Sequence, residues 1–282
     1  MNPNRPSRRG LIGAVAGTGA SIGLISLLQG CGGSGSSSPT LSSGRPYLTD
    51  YLNFCLNLEY LEAEFYLRAT SGQGLPASLT GTSPGTVTGG AQAPFVTPAI
   101  QAAATQFAQQ EQEHVSYLRG QLFSGAVSRP TINFTAGFNF VATASGIGSS
   151  LNPFADENSF LLGSFFLEDL VATAYFGILA KDASVFGGLL GVESYHGGIV
   201  RNTIFTEGGT LLSEANSISA FRSAYGQGGE QPLSGAVGDI APGSSLATAI
   251  GREPEQVLAI LYGSKLGTPG AFFPNRFNGY IA

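Results

Sequence analysis

The chain has 282 residues, 43% of them hydrophobic and 11% charged, with a formal net charge of -5; it can bury a full core and offers no basic surface for nucleic acid. That length reads as one large domain with decorations, and the 41 glycines and 15 prolines gather between apolar periodic segments, as long loops around a helical centre do. With charge so scarce, every acid inside an apolar helical pattern calls for an explanation, and only two histidines are present, His114 and His196.

In chain order, residues 1–31 carry the features of a targeting segment and are set aside from the fold. Ser7-Arg8-Arg9-Gly10-Leu11-Ile12 resembles a twin-arginine export motif and precedes a weakly hydrophobic, glycine-rich run from Leu11 to Leu28. Leu28-Gln29-Gly30-Cys31 resembles a bacterial lipobox, in which the cysteine is lipidated and becomes the new N-terminus. Residues 32–46, rich in glycine and serine, then form a flexible tether. These signals place the mature protein outside the cytoplasm, on the periplasmic or extracellular face, held to the membrane by a lipid on Cys31. The competing reading is a retained transmembrane helix over Leu11 to Leu28, close to the minimum spanning length. Cleavage removes Arg5, Arg8 and Arg9 and no acid, moving the formal charge from -5 to -8. Cys55 is then the one cysteine without a lipid, on an apolar helix face, where it reads as core packing.

Four helix-period apolar segments follow, over residues 47–207. The first covers about Tyr47 to Thr70 and stops at Ser71-Gly72. The second covers about Thr97 to Phe123, with Thr97 as N-cap and Pro98 at the first helical position. The third runs from Glu157 to Lys181 and the fourth from Ser184 to Phe205, closed by Gly208-Gly209. Loops of about two dozen and about thirty residues separate the first three, whereas the third and fourth join almost directly and form an antiparallel hairpin. Residues 208–282 read as an extension packed on this bundle, with short helices near Ser213 to Tyr225 and Glu253 to Tyr262; the segment has too few apolar residues for a core of its own.

The second helix holds Glu111-Gln112-Glu113-His114 and the fourth Glu193-Ser194-Tyr195-His196. At Glu-x-x-His spacing both side chains leave one helix face a turn apart and can grip a common metal. With 13 glutamates in the chain, coincidence would put one three positions before both histidines roughly once in five hundred. The first and third helices each place a glutamate in an apolar run, Glu59 and Glu168. One glutamate from each of two helices plus Glu-x-x-His from each of the others is the ligand set of ferritin-like di-iron and di-manganese bundles. All four groups lie near mid-helix, roughly 18 Å from the ends, so they can meet at one height. Buried together without cations these carboxylates would repel one another, and two divalent ions would relieve that. On the first helix Glu59, Glu62 and Glu64 compete; Glu59 and Glu62 share a face, Glu64 points elsewhere, and Glu59 is the choice with Glu62 as the alternative. Asp169 reads either as an acceptor orienting a histidine or as an exposed helix residue. Tyr66, Tyr117, Tyr175 and Tyr195 read as core or rim aromatics that could neighbour a redox centre.

Asn57-Leu58-Glu59-Tyr60-Leu61-Glu62-Ala63-Glu64-Phe65, Tyr66 beyond it, both Glu-x-x-His motifs and the tail Phe272-Phe273-Pro274-Asn275 resemble the desiccation-related branch of the ferritin-like proteins. The resemblance implies an all-α four-helix bundle over nearly the whole mature chain. It speaks to fold and ligands more than to reaction and does not imply iron storage. A twin-arginine route, which carries folded proteins, suits one loaded with metal before export.

The expected function is oxidation of Fe(II) or consumption of peroxide, in stress protection, by two iron or manganese ions held by Glu59, Glu111, His114, Glu168, Glu193 and His196. The alternative is a non-catalytic envelope protein in which the metal site is structural or empty. Haem chemistry has little support, because the sole methionine is Met1. The long extension favours a monomer or dimer over a cage.

The leader makes its own prediction. Cys31→Ser should shift the protein from the membrane fraction to the soluble exported fraction on cell fractionation. Retention in the membrane would instead establish a span over Leu11 to Leu28.

Overall fold

The computed structural model describes residues 47–233, 240–244 and 247–282. The expected targeting segment with Cys31, and the tether over 32–46, lie outside the described residues.

Helix α1, Leu48–Ser71, begins where the Asp50 carboxylate accepts the Tyr47 N–H at 2.7 Å and ends at Gly72, whose φ of 74° only glycine adopts cheaply. Helix α2, Pro98–Leu122, has proline at its first position as expected, but the Thr97 side chain does not cap it. Thr97 Oγ1 and the Val96 and Thr97 N–H groups all donate to the Glu157 carboxylate, at 2.7, 3.0 and 2.9 Å. A residue from the start of a later helix thus satisfies the donors that immediately precede α2.

The stretch between the second and third expected helices is not all loop. It contains α3, Phe134–Ser145, capped by Asn133 accepting from the Ala136 N–H at 2.9 Å and stopped by Gly146. Phe134, Phe138 and Val141 form its buried stripe. A two-residue parallel pairing, β1 (Val87–Thr88) with β2 (Ile132–Asn133), ties the two long connections together.

Helix α4, Glu157–Ile178, starts at an Asp156 cap and runs into one 3-10 turn over Leu179–Lys181; Asp182 alone then separates it from α5, Ala183–Glu207. The expected hairpin is therefore present. Helix α6, Gly209–Tyr225, starts four residues earlier than its periodicity suggests, and α7 covers Pro254–Tyr262.

Helix α1 packs along α2 and α4 along α5, and the two pairs meet through α1 and α4. Every residue from Leu52 to Tyr66 and from Phe160 to Val171 is buried. By length and composition alone α4 could cross a membrane. Its apolar character on all sides reflects enclosure by α1, α5, α6 and α7. The C-terminal residues join the same core: Phe272 stacks on Phe166 at 5.3 Å and meets Phe138 edge-on at 4.9 Å. Gly137 leaves the space for it, since a Cβ there would lie 2.4 Å from the Phe272 ring.

A buried ionic chain fastens this extension to the bundle. Asp169 on α4 accepts from Arg201 on α5 at 2.7 Å and Arg222 on α6 at 2.9 Å; Glu230 accepts from Arg222 at 2.8 Å and Arg252 at 2.6 Å. Arg222 Nη1 also donates to the backbone carbonyls of Phe165 and Phe166 on α4. Removing one member strands the others in a medium of low polarity. Arg222→Met should accordingly cost about 3–5 kcal/mol in urea unfolding, and a loss under about 1 kcal/mol, the level of a surface ion pair, would disprove this anchoring.

Candidate metal centre

Seven side chains from the four long helices converge: Glu59 and Glu62 of α1, Glu111 and His114 of α2, Glu168 of α4, and Glu193 and His196 of α5. All five glutamates are fully buried, and His114 and His196 are 7% and 1% exposed. Their ligand atoms fall into three overlapping groups, each within 4.8 Å: Glu59, Glu111, His114 and Glu193; Glu111, Glu168 and His196; Glu62, Glu168 and Glu193.

Glu111 lies between the imidazoles. One of its oxygens is 3.4 Å from His114 Nδ1, the other 3.0 Å from His196 Nδ1, and the rings stand 6.4 Å apart, close to parallel. This is the disposition of a carboxylate bridging two positions. His114 Nδ1 also lies 3.1 Å from Glu193 and 3.2 Å from Glu59, and His196 Nδ1 lies 3.5 Å from Glu168. On the far side of its ring, His196 Nε2 donates to Gln110 Oε1 at 2.8 Å, which leaves Nδ1 turned to the carboxylates.

The two halves repeat one another. Glu59 and Tyr66 on α1 are seven residues apart, as are Glu168 and Tyr175 on α4, and the pairs are exchanged: Tyr66 donates to Glu168 and Tyr175 donates to Glu59. The repeat breaks at one place. Three residues after Glu59 stands Glu62, whereas three residues after Glu168 stands Val171, so the second carboxylate of α1 serves the half that holds Glu168.

Electrostatics distinguish these carboxylates. Burial lifts Glu59 from 4.5 to about 7, the Glu111 charge adding to the lift and the His114 charge opposing it. Burial first, and then neighbouring carboxylates, push Glu62 and Glu193 well up. Glu168 also rises through burial, with His196 opposing. Glu111 alone falls: burial resists its charge, but the two imidazoles beside it outweigh burial. Both histidines rise despite burial because Glu59 faces one and Glu168 the other. Eight buried atoms here have no hydrogen-bond partner: both oxygens of Glu62, Glu111 and Glu193, Glu168 Oε2 and His196 Nδ1. Buried polar atoms ordinarily find partners. Hard oxygen donors with two imidazole nitrogens suit iron or manganese, so the residues fit such ions.

All six expected ligands are brought together, and Glu62 joins Glu59 instead of replacing it. Glu64 is turned away into ion pairs with Arg68 and Arg129. Asp169 neither orients a histidine nor lies exposed; it accepts from Arg201 and Arg222, because the residue after Glu168 is rotated about 100° around the helix toward α5 and α6. Glu113 is exposed beside Gln109. Tyr195 is 76% exposed and Tyr117 lies at the surface, whereas Tyr66 and Tyr175 are buried in the site. Cys55 is buried and unpaired, its thiol pushed up mainly by burial. Gln110 was not foreseen. The doubled spacing Glu-x6-Tyr was a signal for the tyrosine exchange.

An all-α bundle with this cluster at its centre defines a ferritin-like protein. The chain matches the ferritin-like domain family over residues 48–206 and belongs to it. It is 27% identical over 266 residues to the ferritin-like catalase Nec2 of Nesocodon mauritianus, spanning 83% of this chain and 84% of that protein. It is also 28% identical over 260 residues to the desiccation-related protein PCC13-62 of Craterostigma plantagineum, spanning 81% and 82%. No solved structure gives a significant match.

The raised carboxylates set a pH dependence for metal-free protein. Between about pH 4.5 and 7 the raised carboxylates hold more protons in the folded chain than in the unfolded one, so their contribution to stability is full below the ordinary carboxylate value and is lost as pH rises through the folded values. The raised histidines act in the same sense, and the lowered Glu111 contributes a constant amount across that range, lost only as pH falls below the ordinary carboxylate value. In chelator, the urea midpoint should fall from about pH 5 to about pH 8, and Glu59→Gln should flatten the fall; a rising midpoint would contradict this account.

Proposed function

We propose that the seven-residue cluster holds two iron or manganese ions and that the loaded protein oxidises Fe(II) or consumes peroxide in stress protection outside the cytoplasm. The eight unpartnered buried atoms carry this reading, since two divalent cations would answer both their missing partners and the carboxylate repulsion. One metal would take Glu59, His114 and Glu193, the other Glu62, Glu168 and His196, with Glu111 between them. Bound there, such ions supply electron transfer to or from oxygen or peroxide.

The chain's own groups hold that arrangement. Gln110 fixes the His196 tautomer, and the Phe107 ring lies 4.0 Å from that imidazole and keeps water from it. Tyr66 and Tyr175 donate to the carboxylates of opposite halves, so each half restrains the other. Relatives described as a catalase and as desiccation-related support a protective role. Placement on the exported side with lipid on Cys31 is part of the proposal and rests on Arg8-Arg9 and Leu28 to Cys31.

A second reading has one observation in its favour. The five carboxylates have no exposed surface, which suits an ion that braces the bundle without turnover. Mass spectrometry on the native exported protein should find about two iron or manganese ions per chain, and fewer in His114→Ala/His196→Ala. Loaded protein should consume peroxide, or oxygen with Fe(II). A rise in Tm on loading without consumption establishes the brace, and metal-free, folded wild type refutes both.

A further inference from the structure

With the cluster carboxylates wholly buried, a reactant needs a way in. One cavity of about 220 Å³ has a cluster carboxylate, Glu193, in its wall. It lies between α4, α5 and three C-terminal segments, residues 229–231, 241–242 and 249–250. Its rim includes exposed Ser194, Ala241, Pro242 and Ala249, and its floor is buried at Glu193, Gly197 and Asp169. The cavity therefore runs from the surface to the part of α5 that carries Glu193, whose carboxylate oxygens lie enclosed behind its floor.

We propose that this cavity admits a small neutral hydroperoxide to the Glu193 side of the cluster, with the C-terminal extension forming its outer wall. The inference rests on the metal reading above and names the substrate class. An anion finds no unengaged cation among the described lining residues, since Arg201 is held by Asp169 and by the Ile240 and Gln231 carbonyls. Leu190, Ala172, Pro242 and Ile250 supply apolar wall that suits an alkyl substituent. The volume exceeds that of a water molecule, about 30 Å³, several times over, so the cavity has room for one. Arg201 joins wall to floor: it binds Asp169 on α4 and carbonyls of the extension. This gives the extension a part in choosing the reactant.

Gly198 lines the cavity, and a Cβ built there meets nothing within 4 Å, so Gly198→Leu fills the passage without a backbone clash. Gly188→Leu, on the same helix with equally open space and outside the cavity, is the control. Crystals soaked in tert-butanol, an unreactive stand-in for tert-butyl hydroperoxide, should show the alcohol in the cavity of wild type and Gly188→Leu and none in Gly198→Leu. With equal metal content and Tm, Gly198→Leu should consume tert-butyl hydroperoxide at least tenfold more slowly than Gly188→Leu. Ala249→Leu narrows the rim from the opposite wall and serves if Gly198→Leu does not fold. An empty wild-type cavity, or an unchanged rate in the plugged variants, overturns the proposal. If the alcohol is seated but loaded wild type consumes no hydroperoxide, the binding pocket stands and the redox reading falls.

Discussion

Five carboxylates meet in the centre of an apolar bundle, and this is the constraint to which the rest of the structure answers. Unpaired, they would favour water over the core by several kcal/mol each. They sit at mid-helix, where four helices can bring them to one height. Two imidazoles and two tyrosine hydroxyls are directed at them, and these donors fall short of the acceptors present. That shortfall is what the proposed cations would answer, and a hydrogen-bonded core network would not leave it.

Helix α4 joins this centre to the remainder of the chain through two adjacent acids. Glu168 faces the cluster and Asp169, a step around the helix, faces Arg201 and Arg222. The second acid begins a buried ionic chain that continues through Glu230 to Arg252 and holds the C-terminal residues against the helix carrying the first. Support of the centre and attachment of the extension are thus one arrangement. The same extension walls the cavity that reaches Glu193. The near-twofold repeat of the bundle, broken where Glu62 stands opposite Val171, makes the two halves chemically unequal.

Much of this was legible in the sequence because it depends on local periodicity. The Glu-x-x-His spacing places two ligands on one face whatever surrounds the helix, and an apolar stripe broken by one glutamate is conspicuous in a chain with so few charges. Helix α3 was missed because its three phenylalanines, two threonines, Gly137 and Asn139 carry weak helical preference on their own. Its burial against the C-terminal aromatic residues is what stabilises it. Thr97 is the N-cap position as read, but where its hydroxyl bonds was not legible, because its partner, Glu157, is sixty residues away.

The sequence by itself determined the all-α class, the four long helices and the six cluster residues first named, since helix period and motif spacing are short-range properties. Only the tertiary structure decided that Glu62 joins Glu59, that Asp169 belongs to arginines, that Tyr66 and Tyr175 cross between halves, and that the extension walls a passage to Glu193. Those outcomes depend on which helix faces which and at what rotation, and that is set by the packing of the whole core.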